Sequence, residues 1–208
     1  TYTIAVGDIK RITIGEETYQ AEILGFKHDD LANAANEGYT GLTKAGISFQ
    51  LKELMTTTKN MNSSSTNANG WAATNVMYSY LNIDVYNSLE TTAKSAIVTV
   101  GKKYMAQYNA KTVTADTVKT SNDKLWLLSC SEIWSDGVSY TDENSNSKTG
   151  YGYAYLQEGE QYKYYKNATG VTAGTKITYN STNSKLVKKN LAGTAKYWWL
   201  RSPFYNYD

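Results

Sequence analysis

A chain of 208 residues, 41% hydrophobic and 19% charged, is long enough to bury the core of one large domain, and its net charge of +2 excludes the strong basic field of a nucleic-acid binder. Its single Cys excludes an intrachain disulfide, and no run approaches the roughly 20 apolar residues of a membrane span. One Pro and no charge-rich or Pro/Gly-rich linker read as a single domain over 1–208, and no signal-peptide pattern is read at its start.

In chain order, the first thirty residues read as β. Tyr2 to Val6 alternates, Gly7-Asp8 turns it, and Lys10 to Ile14 alternates again. After a turn at Gly15-Glu16-Glu17, Tyr19, Ala21 and Ile23 point one way and Gln20 and Glu22 the other. This predicts an antiparallel meander with one wet face. Ile47, Phe49 and Leu51 alternate as a strand, which Leu51 to Met55 either continues or turns into a helix. The stretch from Thr56 to Gly70 is rich in Ser, Asn and Thr, whose side chains compete for backbone hydrogen bonds, and reads as a long loop.

Trp71, Val76, Tyr80 and Leu81 fall near helical spacing, so a helix is predicted over about 74–81, with Thr74 as its cap. A second short helix is predicted over 85–96, then a β segment from Ala96 to Val100 that breaks at Gly101. Lys124 to Ser129 is the most apolar predicted strand, with Trp126 in the core and a single helical turn at Ser131 to Trp134. Residues 135–196 read as a loop-rich insertion. Within it, Gln161 to Lys166 suits a short helix packed through Tyr162 and Tyr165, and 172–195 suits a hairpin or long loops.

The 19 Tyr against three Phe suit either strand-lining aromatics or a paratope-like surface, where Tyr gives large contact area with few rotatable bonds. His28-Asp29-Asp30 is the only imidazole beside carboxylates, but no second His gives metal-ligand spacing. The expectation is Asp29 and Asp30 capping a turn and His28 as a structural donor, with no metal. Cys130 follows an apolar run and reads as a small buried hydrophobe. Lys185, Lys188 and Lys189 read as a solvated basic face.

The end of the chain carries most of the functional signal. Tyr197-Trp198-Trp199-Leu200-Arg201-Ser202-Pro203 is a rigid box, and on a strand its two Trp would leave opposite faces, one toward the core. Arg201 suits stacking on the outer Trp or pairing with a carboxylate, and Pro203 fixes the exit direction. The box resembles the WW-x-RSP motif that opens the hypervariable segment of proteins diversified by bacterial and phage retroelements. His28-Asp29-Asp30-Leu31, Lys44 to Phe49, Met61-Asn62-Ser63 with Asn67 to Trp71, Lys124 to Ser129, and Glu158 to Tyr162 with Tyr164 to Lys166 follow the order of the same bacterial and phage family.

The resemblance implies an α+β, C-type-lectin-like fold with antiparallel sheets, two or three short helices and long irregular loops. It also implies a variable segment that starts at 204. Phe204, Tyr205, Asn206, Tyr207 and Asp208 are the implied ligand-binding residues, and Trp198, Trp199, Arg201 and Pro203 their scaffold. Each of these five fits a pyrimidine-ending codon of the kind that adenine-targeted diversification produces. The Glu-Pro-Asn or Gln-Pro-Asp and Trp-Asn-Asp motifs of calcium-dependent sugar readers do not occur, nor do the paired cysteines of formylglycine-generating relatives.

The expected role is therefore a receptor-binding domain or adhesin without catalysis or cofactor, on a phage tail or bacterial surface. Its partners would be a protein or glycan of a target cell and other virion or surface proteins, and not nucleic acid. The rivals are a cell-wall or polysaccharide hydrolase using carboxylates among Asp29, Asp30, Glu132 and Glu158, and a structural domain of virion assembly.

Overall fold

The computed structural model of the chain describes residues 3–33, 38–64, 70–73, 75–105, 118–134, 140–141, 147–148, 158–166, 168 and 185–202. They form an α+β body of small sheets and short helices. Strands β1 (Ile9–Ile14), β2 (Glu17–Phe26) and β3 (Ile47–Leu51) make an antiparallel sheet with β2 in the middle. Ile14 pairs with Glu17 across a tight turn, and Gly15 takes φ +63°, a conformation that costs glycine no Cβ clash. The expected strand over 2–6 does not form in its described part. Residues 3–5 lie outside any strand, and Asp8 instead bonds the Ala5 N–H through its side chain at 2.9 Å.

The alternation of β2 is as expected, but its second face is not wet. On one side Tyr19 joins Ile14, Val85 and Leu89 in a buried cluster. On the other, Leu24 belongs to the largest core, with Leu128, Ile133, Trp134, Tyr162 and Tyr165. Glu22, read as solvent-facing, is 7% exposed because helix α6 (Lys163–Lys166) lies over it. Tyr164 donates to Glu22 Oε1 at 3.1 Å and Tyr165 to Gln50 Oε1 at 2.7 Å. Amphipathic alternation marks a strand's two faces but cannot show that a distant helix covers the polar one.

The helical region starts earlier than Thr74, which lies outside the described residues. Helices α1 (Gly70–Ala73) and α2 (Asn75–Ser79) lead into a π-helical stretch, Tyr80–Val85, and α3 (Tyr86–Ser88). Leu89 bridges to Ile14 and interrupts the helix expected over 85–96, so only α4 (Thr91–Ala96) forms its second half. The next strand is β5 (Val100–Met105), which contains Gly101 rather than ending at it, and it pairs with β6 (Val118–Asp123).

Lys124 to Ser129 is not a strand past Asp123. Its carbonyls find side chains instead of a ladder. Leu125 O takes the Asn82 amide at 2.9 Å, and Leu127 O takes Arg201 Nη1 at 2.6 Å. Trp126, expected in the core, is half-buried. Helix α5 (Cys130–Trp134) follows as expected. The stretch read as an insertion supplies one short pair, β7 (Tyr140–Thr141) with β8 (Ser147–Lys148), and one strand of another, β9 (Lys189–Asn190), which pairs with β4 (Glu53–Leu54). The β4–β9 pair is parallel, so the sheets are not all antiparallel. Helix α6 (Lys163–Lys166) is the short helix expected near Tyr162 and Tyr165. Most of 135–184 lies outside the described residues.

Gly70 joins these parts. It has φ +64°, and a Cβ there would stand 1.9 Å from the carbonyl oxygen of Met105. Gly70→Ala is expected to cost about 3 kcal/mol or more, from both the clash and the left-handed backbone. Urea unfolding measures this, and an unchanged midpoint would contradict the close approach of α1 to β5.

Candidate functional site

The C-terminal box is built on Arg201. The structure places this side chain in the interior, 2% exposed, rather than over a Trp. Its Nε donates to Lys103 O at 3.0 Å, Nη1 to Leu127 O and Glu132 Oε2 at 2.6 Å each, and Nη2 to Glu158 O at 2.5 Å. Its backbone N–H adds a bond to Leu128 O at 2.9 Å. A planar fork of donors suits this task, because each N–H meets a separate oxygen.

Glu132 is aimed at Arg201 by a local motif. Ser129 Oγ accepts the Glu132 N–H at 3.2 Å, and Glu132 Oε2 accepts the Ser129 N–H at 2.9 Å, which is a capping box at the start of α5. The other carboxylate oxygen, Oε1, forms an ion pair with Lys102. Lys102 Nζ also donates to Asp29 Oδ1 at 2.6 Å and sits 4.6 Å from the centre of the Trp126 ring. Tyr162 donates to Asp29 at 2.8 Å and Ser48 bonds its Oδ2. The chain Arg201–Glu132–Lys102–Asp29 therefore alternates charge through the interior.

The carboxyl groups divide by whether a cation touches them. Burial is the largest single influence on Asp29 and Glu132 and raises both, but Lys102 with the Ser48 and Tyr162 hydroxyls together outweigh it at Asp29, and Arg201 with Lys102 outweigh it at Glu132. Both are held below the usual carboxylate range. Among the described residues no cation is bonded to the Glu158 carboxyl. Burial pushes it up to about 7, against weaker opposition from Arg201, Ser202 and the Met105 N–H. Its Oε1 accepts the Met105 N–H at 2.9 Å, and its Oε2 meets Ser202 Oγ, which also accepts the Cys130 N–H at 2.8 Å. Burial also raises Asp123, which takes Trp71 Nε1–H at 2.8 Å.

The two Trp separate as the sequence implied, although Tyr197 to Leu200 lies outside any strand. Trp198 packs against the largest core and donates Nε1–H to Leu186 O at 3.3 Å, while Trp199 is 54% exposed. Pro203 and the five implied binding residues, Phe204 to Asp208, lie outside the described residues. Arg201 and Ser202 thus mark where the described chain leaves the core toward them.

The other candidates have structural partners. His28 stacks on Tyr162 with ring centres 4.0 Å apart, its Nε2 3.1 Å from Glu160 O. Asp30 pairs with Lys44 at 2.6 Å on the surface. No group of three possible metal ligands occurs among the described residues. Cys130, expected to be buried, is only partly so, packed against the largest core, and desolvation with the nearby Glu158 pushes its thiol up to about 12, which suits an inert side chain. The solvated face read at Lys185, Lys188 and Lys189 holds only for Lys189. Lys188 is 6% exposed, donates to Leu51 O at 3.3 Å and stands 3.9 Å from Glu22. An open depression of about 460 Å³, lined by Ile14, Glu17, Met55, Tyr80, Asp84 and Val85 among others, contains none of the candidate site residues.

The sequence carried one signal for the charged core that periodicity does not read: Ser129-x-x-Glu132, the capping-box spacing. The chain belongs to the family described as Domain of unknown function (DUF6273), which matches residues 44–208. No curated protein and no solved structure matches the chain.

Two measurements check this geometry. Trp198→Ala is expected to cost about 2 to 3 kcal/mol and Trp199→Ala under about 1 kcal/mol, and equal losses in urea unfolding would contradict their separation. Glu158 titrates higher folded than unfolded, so its contribution is full below its ordinary value of 4.5 and is lost as pH rises through about 7. Stability should fall by about 3 kcal/mol between pH 4.5 and 8 from this group, and Glu158→Gln should remove that share. Asp123, also raised by burial, adds a decline of the same sign. An identical decline in the variant would exclude Glu158 as its source.

Proposed function

We propose that the chain is a non-catalytic ligand-binding domain of C-type-lectin-like type. On this reading it displays a retroelement-diversified segment from Phe204 onward, on a phage tail or bacterial surface, to a protein or glycan of a target cell. The observation that carries it is the anchoring of the box: Arg201 is locked by carbonyls and Glu132 inside the body, two residues before Pro203. A segment whose side chains vary needs a backbone origin that does not, and this one is fixed by interior groups.

The carboxylates offered by the hydrolase reading favour binding instead. Hydrolysis needs an acid and a base facing substrate, whereas Asp29, Glu132 and Glu158 are 5%, 0% and 0% exposed and bonded to interior partners. Asp30 is exposed but paired with Lys44. No cofactor or metal enters the proposal. Among the described residues no helix is long and apolar enough to cross a membrane, so a surface location would come from a larger assembly or a neighbouring segment.

Exchange of Tyr205 and Tyr207 tests the reading, because binding energy concentrates in a few exposed aromatics. Fluorescently labelled chain on a panel of bacterial strains should change which strain it stains, while stability stays within about 0.5 kcal/mol of the parent. Identical staining by variants throughout 204–208, or their unfolding, would remove the diversified-segment reading.

A further inference from the structure

Residues 161–207 hold eight Lys or Arg and no Asp or Glu, in a chain whose overall charge is only +2. Two of the eight, Lys188 and Arg201, are spent inside. Lys163, Lys166, Lys189 and Lys196 are exposed. Lys163 and Lys166 point outward because Tyr164 and Tyr165, between them, are buried.

These cations belong to one connected stretch. Lys185 Nζ bonds Tyr164 O at 2.9 Å, which ties α6 to 185–186, and Leu186 O holds the Trp198 indole. Lys189 bridges to Ala195, and the Lys196 N–H bonds Lys188 O at 3.1 Å, which folds 188–196 into a hairpin that runs directly into the box. Of the acids beside it, Glu22 is buried under Tyr164 and Glu53, across from Lys189, accepts the Gln20 N–H at 2.8 Å, while Glu160, next to Gln161, is exposed.

Within this basic stretch the backbone is pinned at Lys196 and again at Arg201, and between the two pins Tyr197 is 81% and Trp199 54% exposed. An indole held in water just after the exposed Lys196 in the chain suits a ligand that offers both anionic groups and flat, weakly polar ring faces. An acidic protein surface offers the charges without the flat faces, and its interface would need a contiguous apolar centre.

We infer that the surface formed by Trp199, Tyr197, Lys189 and Lys196 binds an anionic polysaccharide. This rests on the ligand-binding reading above and names the chemical class of the partner. The sugar ring lies on Trp199, and the carboxylate or sulfate groups of the polymer meet the lysines.

Affinity electrophoresis of the 208-residue chain through gels containing polygalacturonate, dextran sulfate, neutral dextran, polyglutamate or oligothymidylate tests it. Retardation is expected with polygalacturonate or dextran sulfate and not with dextran. Trp199→Ala should weaken it by about tenfold or more at an unchanged melting temperature, with partial recovery in Trp199→Phe. Lys189→Ala combined with Lys196→Ala should weaken it and flatten its salt dependence.

No retardation by either anionic polysaccharide overturns the inference. So does equal retardation by polyglutamate that ignores Trp199→Ala, which leaves charge alone, and so does tighter binding of oligothymidylate. The exchange of residues 204–208 on whole cells is a separate readout: a changed strain preference without polysaccharide binding sinks only this inference. Trp199-dependent polysaccharide binding with an unchanged strain preference sinks only the diversified segment.

Discussion

The body depends on an alternation of charge that no solvent reaches. Arg201, Glu132, Lys102 and Asp29 come from the C-terminal box, α5, β5 and the chain after β2, and their side chains are 4% exposed or less. Two cations face two anions, so the interior charge balances, and Tyr162, Ser48 and backbone carbonyls take up remaining donors and acceptors. A buried ion pair is weak evidence of stability, because desolvation offsets the Coulomb attraction. Removing one member is costly all the same, since it strands its partner. The arrangement therefore fixes which segments meet more than how tightly the whole holds together.

That balance explains the behaviour of the acids left over. Glu158 and Asp123 sit close enough to feel Arg201, but its fork is already filled by Glu132 and three carbonyls. Burial then decides, and both carboxyls rise. Neutral carboxyl groups still accept hydrogen bonds, so Glu158 can tie Met105, Ser202 and, through Ser202, Cys130 without adding a charge to the interior.

Local pattern carried much of the architecture. The β1–β2 hairpin, β3, α5 and α6 follow from alternation, glycine at a turn and helical spacing, all of which act over a few residues. The errors share a cause. Lys124 to Ser129 is as apolar as a strand, but its carbonyls are claimed by Asn82 and Arg201, more than forty residues away in either direction. Glu22 alternates like a surface residue and is covered by Tyr164, and Lys188, in a run of lysines, is drawn inside beside it. Partners this distant leave no periodic trace in one sequence. Ser129-x-x-Glu132 was the exception: the cap that orients Glu132 is local, although the cation it serves is not.

The same separation bears on how a domain of this kind tolerates change. Trp198 and Trp199 are chemically equal in the sequence, but the first closes the largest core and the second stands in water. Arg201 and Ser202 close the charged interior, the first on Glu132 and the second on Glu158. Substitution at Trp199 leaves the charge balance untouched, whereas any change at Arg201 reaches Glu132, Lys102 and Asp29 in turn. Stability and recognition can then be selected independently, because the residues that carry the first are spent in the interior before the chain arrives at those proposed to carry the second.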